Sequence, residues 1–260
     1  MAVNGAPVQR RDSGDGVATL VLNRPEKRNA LDRAMVEELA RLLAQVGEDR
    51  DVRVVALRGA GRDFCAGADL GEIAATQAQG PEAGLADAQR LGEVFVGIRR
   101  LRPPVVAAVQ GRALGGGCGL ATACDLVLAH EDASFGYPEV HLGFVPALVM
   151  SFLRRKVGES TAFELMMRGR GITADESARI GLVNQVIPDG TFESTVEEYL
   201  AALAARPATA VALTKRLFYG LDGVGIEDAI ARGAEVNAIA RLSDDCRRGV
   251  AAFLERRRER

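Results

Sequence analysis

The sequence predicts an α/β fold in which short strands alternate with helices, followed by a helical C-terminal part. Two observations support this prediction. Apolar runs of four to six residues are separated by segments whose apolar residues recur at helical spacing. From about Pro146 the balance shifts towards helix. Because strands that alternate with helices favour parallel pairing, we expect a mainly parallel sheet covered by helices.

Five apolar runs are predicted to form the strands. Each is bounded by residues that favour turns or by a charged residue, as in Asn23-Arg24-Pro25 after the first run and Gly59-Ala60-Gly61 after the second. The runs are VATLVL (17–22), VVAL (54–57), VVAAV (105–109), LVLA (126–129) and VNQVI (183–187).

Helices are predicted from apolar spacing and from capping residues. Asp32 is placed to cap a helix with Met35, Leu39 and Leu43 on one face, and residues 85–100 show a second such face. Thr173 and Glu176 match a capping box. The end of the chain is predicted to be helical over 192–204, 208–218, 226–240 and 243–257. We therefore divide the chain into a core of residues 1–200 and a helical region of residues 201–260.

Composition excludes several classes of function. The 33 Lys and Arg against 35 Asp and Glu leave a near-neutral chain, which argues against a nucleic-acid-binding protein. With two His and four Cys, and no Cys-x-x-Cys pair, we expect no metal centre and a reducing, cytoplasmic setting. No apolar run reaches the length of a membrane span, so no membrane association is expected.

Two loops rich in small residues follow predicted strands. Residues 63–70 (DFCAGADL) come after VVAL, and residues 110–119 (QGRALGGGCG) come after VVAAV. In both, a strand ends, small residues follow and a helix is expected to begin, so unpaired backbone N–H groups face any ligand. Neither loop matches a dinucleotide or P-loop fingerprint. Side by side, the loops would supply two N–H donors to one oxygen, which is an oxyanion hole.

Four segments resemble the enoyl-CoA hydratase/isomerase (crotonase) family, in order and in spacing. The resemblance covers about residues 17–186, and the helical tail fits as well. It implies a crotonase-type spiral of ββα units, a C-terminal helical trimerisation region, and acyl-CoA thioester substrates. The four segments are NRPEKRNAL (23–31), FCAGAD (64–69), GRALGGGC (111–118) with ACD (123–125), and FGYPE (135–139).

The resemblance implies a role for particular residues. The family's two oxyanion donors fall on the backbone N–H groups of Ala68 and Gly116, which agrees with the interpretation of the two loops. The family's hydratases place two glutamates beside the acyl chain. One of them corresponds to Glu139, whereas the other position holds Gly119 in this sequence. Gly119, with Asp69, is nevertheless expected beside the substrate.

A single carboxylate leaves the reaction open. Adding water across a 2-enoyl thioester benefits from two groups, whereas moving a double bond needs one base that takes a proton from C2 and returns it at C4. We expect hydration or isomerisation of an enoyl-CoA with Glu139 as acid and base. The alternatives are a dedicated Δ3,Δ2-enoyl-CoA isomerase and a non-catalytic acyl-CoA-binding protein. His141, two residues beyond Glu139, shares its face if the segment is extended.

CoA recognition is expected to use basic and small residues. Lys27 and Arg28 are candidate partners of the phosphates. The resemblance implies adenine binding near Ala66 and Leu70, and we expect further contacts from Lys215 and Phe218 across a subunit interface. No cofactor is predicted beyond the CoA that the substrate carries. A homotrimer, or a hexamer built from two trimers, is the expected assembly.

Overall fold

The computed structural model describes residues 5–258, and a six-stranded sheet with the order β1-β2-β3-β4-β6-β9 forms its centre. A second sheet of three short strands has the order β5-β7-β8. In chain order the strands are β1 (Val8–Asp12), β2 (Val17–Leu22), β3 (Val54–Gly59), β4 (Val105–Val109), β5 (Arg112–Leu114), β6 (Leu126–His130), β7 (Ser134–Gly136), β8 (Gly171–Thr173) and β9 (Gln185–Ile187).

Eleven α-helices within residues 5–258 surround these sheets. They are α1 (Arg33–Glu48), α2 (Leu70–Gln79), α3 (Pro81–Arg100), α4 (Gly116–Ala123), α5 (Ala147–Val157), α6 (Glu159–Arg168), α7 (Ala174–Arg179), α8 (Phe192–Ala204), α9 (Ala208–Gly220), α10 (Ile226–Arg241) and α11 (Asp244–Arg258). None of these described helices is both long and apolar enough to cross a membrane.

The five predicted strands are present as β2, β3, β4, β6 and β9, and the structure adds the short strands β1, β5, β7 and β8. Asp32 accepts a hydrogen bond from the Met35 N–H at the start of α1, and Thr173 caps α7 through the Glu176 N–H. The expectation of parallel pairing holds for β2, β3, β4, β6 and β9. The two antiparallel pairs, β1 with β2 and β7 with β8, involve strands that the sequence does not predict.

The central sheet is buried on both faces. Successive residues of β3 point to opposite sides, so Val55 and Leu57 join the core under α1 and α3, whereas Val54 and Ala56 face α8. This double burial explains why the central strands are continuous apolar runs. The predicted boundary at residues 200 and 201 falls inside α8, which packs on the sheet as far as Ala204. Residues 1–4 and 259–260 of the two predicted regions lie outside the described residues.

A buried ion pair joins α9 to the core. The Lys215 Nζ donates to Asp125 Oδ2 at 2.6 Å and to the carbonyl oxygens of Ile98 and Pro103 at 2.9 and 3.0 Å. Tyr219, one turn further along α9, donates its hydroxyl to the other Asp125 oxygen at 2.7 Å. Burial lowers the pKa of Lys215, and the Asp125 carboxylate opposes that shift. Asp125 therefore anchors the first helix of the C-terminal region.

Removing this anchor is expected to destabilise the protein strongly. Asp125→Ala leaves the Lys215 ammonium buried without its counter-ion, and losing one partner of a buried pair costs about 3–5 kcal/mol. Tyr219→Phe, the matched control, removes a single hydrogen bond and should cost about 1 kcal/mol. Chemical denaturation of the two variants measures the difference. Equal losses would contradict an anchoring role for the ion pair.

Candidate active site

The two loops that the sequence singles out run side by side. The Phe64 and Cys65 N–H groups donate to the carbonyls of Gln110 and Arg112, and the Leu114 N–H donates back to the Cys65 carbonyl, all at 2.9–3.0 Å. Gly117 is essential to this approach, because a Cβ there would lie 2.4 Å from the Cys65 carbonyl oxygen. Small residues thus bring one loop against the first turn of α4.

Two backbone N–H groups converge where the loops meet. Ala68 pairs with Leu31 in an isolated β-bridge. The Leu31 N–H donates to the Gly67 carbonyl and the Asp69 N–H donates to the Leu31 carbonyl, so the Ala68 N–H points away from Leu31. Gly116 is the first residue of α4, where a helix leaves its N–H unpaired. Among residues 5–258 neither N–H has an acceptor. A Cβ on Gly116 would lie 3.9 Å from the Ala68 nitrogen, which shows how close the two donors are.

Glu139 lies beside these donors. It follows β7 in a 3-10 turn (Pro138–Leu142), and β7 pairs with β5, the strand that leads into α4. A Cβ on Gly115 would be 3.2 Å from Glu139 Oε1, so the carboxylate sits next to the residue before Gly116. Glu139 Oε2 is buried and has no hydrogen-bond partner within the described residues. Burial raises the pKa of Glu139.

Tyr137 holds the Glu139 segment against α4. Its ring is buried, and its hydroxyl lies 2.7 Å from the Thr122 hydroxyl on the last turn of α4. Because the Thr122 hydroxyl donates to the Cys118 carbonyl, the Tyr137 hydroxyl acts as donor to Thr122. The Glu139 carboxylate and the Gly116 N–H are therefore fixed relative to each other by the pairing of β5 with β7 and by the hydrogen bond between Tyr137 and Thr122.

The cysteines of the two loops are inert. Cys65 and Cys118 are fully buried, and burial raises the pKa of Cys65 to about 12 and that of Cys118 to about 11. Since the thiolate is the reactive form, neither side chain is a nucleophile at neutral pH. Both side chains pack in the hydrophobic core.

An ion pair with a buried carboxylate, which the sequence does not predict, also joins the loops. Asp63 binds the Arg112 guanidinium through both oxygens at 2.9 and 3.0 Å and accepts the Arg112 N–H at 3.0 Å. The Asp63 side chain is 3% exposed and that of Arg112 is 37% exposed. Arg112 holds the pKa of Asp63 below its ordinary value. This pair ties the start of one loop to the start of the other.

Asp63→Asn is expected to destabilise the protein in a pH-dependent way. Water partly screens half-exposed Arg112. The loss of unfolding free energy at neutral pH should therefore be near the low end of the range for hydrogen bonds to charged groups, about 1.5 kcal/mol. The depressed pKa means that this contribution is present above the unfolded-state value of about 4 and disappears as the pH falls through the lower folded-state value. Unfolding free energies of both proteins across this pH range should therefore converge in acid. A constant difference would contradict the assignment.

The residues expected to bind CoA fall into two groups. Lys27, Arg28, Ala66 and Leu70 lie together, since the Ala66 N–H donates to the Arg28 carbonyl at 3.0 Å and Leu70 begins α2 with an exposed side chain. Lys27 and Arg28 are exposed, and neither side chain forms an ion pair within the described residues. Buried Asn29 fixes this segment by donating to the Ala60 and Asp63 carbonyls.

The second group consists of Lys215 and Phe218. Lys215 has its three N–H groups bound to Asp125, Ile98 and Pro103, so the expected contact with a CoA phosphate is wrong. Phe218 is 69% exposed and packs edge-on against Tyr219, so its proposed contact stays a prediction.

Asp69 and Gly119, both expected beside the substrate, have structural roles. Asp69 caps α2 by accepting the Gly71 N–H at 3.0 Å, and its other oxygen faces Arg24 at 3.4 Å. Gly119 is buried beneath Val149 and Phe95. A substrate contact at Gly119 is therefore not available with these two side chains in place.

His141 does not adjoin Glu139 in the way that an extended segment would require. The segment is a 3-10 turn, so residues two apart point in different directions. The His141 Nε2 lies 3.1 Å from the Gly169 carbonyl, on the side of α6. The premise of a shared face is wrong.

Known proteins resemble this chain over most of its length. A family model described as enoyl-CoA hydratase/isomerase matches residues 12–260. A Thermus thermophilus protein that carries an enoyl-CoA hydratase name is 40% identical over 93% of this chain and 95% of its own length. The short-chain-enoyl-CoA hydratase of Clostridium acetobutylicum is 34% identical over 93% of this chain and 92% of its own.

The fold is also similar to that of solved structures. The crystal structure of an enoyl-CoA hydratase from Mycobacterium smegmatis matches with a TM-score of 0.92 and 35% identity, over 96% of each chain. This similarity confirms the predicted crotonase fold. The chain belongs to the enoyl-CoA hydratase/isomerase family.

Proposed function

We propose that this protein is an acyl-CoA enzyme that hydrates an enoyl-CoA thioester, with Glu139 as its acid and base. The proposal is carried by one observation: two unpaired N–H groups, from Ala68 and Gly116, converge beside the half-buried Glu139 carboxylate, whose Oε2 is buried and has no hydrogen-bond partner within the described residues. The hydratase names of relatives that cover most of the chain support the same reaction.

The two N–H groups would bind the thioester carbonyl oxygen. When a nucleophile adds at C3, or a proton leaves C2, negative charge develops on that oxygen as an enolate. Donors that are already oriented stabilise this charge without reorganisation, and one such donor contributes about 3 kcal/mol in other enzymes. The dipole of α4 adds to the effect because Gly116 is its first residue.

Glu139 would perform both proton transfers of the hydration. Its carboxylate takes a proton from water as the water oxygen bonds to C3, and the electrons of the C2–C3 double bond move towards the thioester carbonyl. The resulting carboxylic acid then gives its proton to C2, which restores the carbonyl and the carboxylate. Burial raises the pKa of Glu139 towards the value that suits a group which must both accept and donate.

Isomerisation of a 3-enoyl-CoA is the second candidate. It is favoured by Gly119, which stands where the resemblance expects a second acid and lies under apolar side chains. In this reaction Glu139 removes a proton from C2, and the enolate is protonated at C4 as the double bond moves into conjugation. The same two N–H groups stabilise the same enolate, so the geometry serves both reactions.

CoA would bind along the segments that carry Lys27, Arg28, Ala66 and Leu70. Lys27 and Arg28 present exposed cations suited to phosphate groups, and the apolar side chain of Leu70 is 60% exposed beside them. No further cofactor is needed for the proposed reaction, because the thioester itself supplies the electron sink.

A homotrimer, or a pair of trimers, is the proposed assembly. Large apolar side chains on α10 and α11 are exposed in the single chain, among them Ile226, Ile230 and Phe253, at 77%, 68% and 56%. Exposed apolar surface of this kind favours burial against another subunit. Light scattering coupled to size-exclusion chromatography measures the mass, and a monomer would contradict the proposal.

An assay with matched 2-enoyl- and 3-enoyl-CoA thioesters tests the function. Hydration removes the conjugated enoyl absorbance of the first substrate, whereas isomerisation creates it from the second. Hydration faster than isomerisation supports the leading proposal, and the reverse order supports the isomerase. A protein that binds CoA thioesters but converts neither would contradict both and indicate a binding protein.

A further inference from the structure

His141 attaches the turn that carries Glu139 to the end of α6. Its Nε2 lies 3.1 Å from the Gly169 carbonyl oxygen. Because a carbonyl oxygen only accepts, Nε2 carries the proton and donates it. The ring also packs closely on the Gly169 backbone, since a Cβ on Gly169 would lie 2.7 Å from Nε2 and 3.0 Å from Cδ2 of His141. One edge of this exposed side chain is therefore held against the glycine.

Glu139 lies between two attachments to the same short stretch of chain. Before Glu139, Gly136 at the end of β7 pairs with Gly171 at the start of β8. After Glu139, His141 binds Gly169, which lies two residues before Gly171. The stretch that joins α6 to β8 therefore supports the carboxylate-bearing turn from both sides.

This supporting stretch is itself fixed to two helices. The Gly169 N–H donates to the Leu165 carbonyl at 3.0 Å, and the left-handed backbone of Gly169, with a φ of 58°, ends α6. The next residue, Arg170, binds both carboxylate oxygens of Glu176 on α7 at 3.0 and 2.5 Å. A contact with Gly169 thus ties the turn to the body of the protein.

The turn that carries Glu139 is closed by its own backbone hydrogen bonds. The Gly143 N–H donates to the Val140 carbonyl at 3.1 Å, and the Phe144 N–H donates to the Glu139 carbonyl at 3.0 Å. Within residues 5–258, His141 supplies the one side-chain hydrogen bond from this turn to another element. Because the turn is closed on itself, a change in this attachment should move Glu139 as well.

The attachment before Glu139 is connected to the N–H donors. The Gly115 N–H donates to the Gly136 carbonyl at 2.8 Å, and Gly116 follows directly in the chain. A group that is fixed relative to Gly136 is therefore also fixed relative to one of the two donors.

We propose that His141 is a positioning residue for the proton transfers of Glu139, because its hydrogen bond to Gly169 holds the Glu139 carboxylate beside the N–H groups of Ala68 and Gly116. This inference rests on the proposed function. A base must lie within hydrogen-bond reach of the proton that it takes, and a displacement of about 1 Å can cost about 10²-fold in rate. His141 acts through the backbone of the turn rather than on the reacting atoms.

Two substitutions at position 141 form a matched pair. Gln places an amide N–H donor close to where the imidazole Nε2 lies, whereas Ala has no donor. Both remove the imidazole charge, so the difference between the two variants reports the hydrogen bond. We expect kcat of His141→Ala to be at least about threefold lower than that of His141→Gln, with nearly equal KM, and His141→Gln to resemble the wild type. A merely structural hydrogen bond would lower Tm without changing kcat of the folded protein.

Leu142→Ala is the control on the same turn. Leu142 follows His141 directly, and its side chain is 66% exposed. Its replacement should leave kcat and KM unchanged. Thermal melting establishes that every variant is folded at the assay temperature before rates are compared.

A second measurement follows Glu139 itself and needs no activity. NMR of protein with ¹³C-labelled Glu carboxyl groups gives the pKa of Glu139, whose signal is the one that Glu139→Gln lacks. In His141→Gln this pKa should stay above the ordinary value, as burial dictates. In His141→Ala it should fall towards the ordinary value of about 4.3, because the loosened turn admits water to the carboxylate.

Several outcomes would overturn the inference. A kcat of His141→Ala within about threefold of that of His141→Gln would do so, whether both variants are active or both are impaired. A loss confined to KM, or an equal Glu139 pKa in the two variants, would also do so. The proposed function fails separately: a wild-type protein inactive on both thioesters contradicts it, whereas the NMR comparison still decides whether His141 positions Glu139.

Discussion

Replacing Glu139 by Gln is expected to reduce turnover of an enoyl-CoA by 10²–10⁴-fold, the range that a positioned acid–base group contributes. The amide keeps the shape of the side chain but cannot take a proton from water or from C2. Because burial disfavours the charged form of Glu139, Glu139→Gln should be no less stable than the wild type. Loss of activity with retained stability would separate catalysis from folding.

The pH dependence of the wild type provides a second measure of Glu139. The carboxylate must be ionised to accept a proton, so kcat/KM should fall as the pH drops through its pKa. Since burial raises that pKa, the fall should occur above the ordinary Glu value of about 4.3. This fall of kcat/KM at low pH should be absent from the residual activity of Glu139→Gln.

Glu131→Gln is a suitable control for Glu139→Gln. Glu131 is an exposed carboxylate that accepts a hydrogen bond from the Asp189 N–H. Its replacement should leave kcat and KM unchanged. Activity of Glu139→Gln within about threefold of the control would show that the proton transfer uses another group.

Gly116→Ala is expected to reduce kcat by 10²–10³-fold, similar to the loss of an oxyanion donor. The substitution keeps the backbone N–H, and its Cβ meets Leu31 and Leu91 only at 3.4 and 3.6 Å, so the fold should tolerate it. The same Cβ lies 3.9 Å from the Ala68 nitrogen. A carbonyl oxygen that accepts hydrogen bonds from both N–H groups would occupy the same space. The methyl group therefore interferes with the oxygen rather than with the helix.

Gly97→Ala is the matched control for this substitution. Gly97 lies inside α3, and a Cβ there has no neighbour within 4 Å. It should leave activity unchanged and stabilise the helix slightly. Thermal melting and steady-state kinetics of both variants make the comparison. Full activity in Gly116→Ala would place the thioester oxygen elsewhere.

The main parts of the candidate site could be predicted because they are local in the sequence. Ala68 and Gly116 each follow a strand in a run of small residues, and Glu139 lies in a recognisable short motif. Their meeting depends on β5 and β7, which are three residues long and too short for an apolar pattern to reveal. The positions of these residues in their loops are therefore predictable from the sequence, whereas the strand pairing that brings them together is not.

Other features depend on contacts between distant residues. Asp63 and Arg112 are 49 positions apart, and no local pattern distinguishes their charges from those on the surface. Lys215 is expected to contact CoA as a cation on a tail helix, but tertiary packing buries it against Asp125. His141 and Glu139 do not share a face because Pro138 starts a 3-10 turn, so the extended backbone that a shared face requires is not formed there. In each case the three-dimensional packing overrides the local pattern.

The burial of Glu139 Oε2 has a consequence for isotopic labelling. A carboxyl proton held on an atom without solvent access exchanges slowly with bulk water. If Glu139 carries the proton between carbons of one substrate molecule, deuterium taken from C2 should reappear at C4 of the same molecule. The fraction of label retained would then report how well the enclosed carboxyl group is isolated from water during a single turnover.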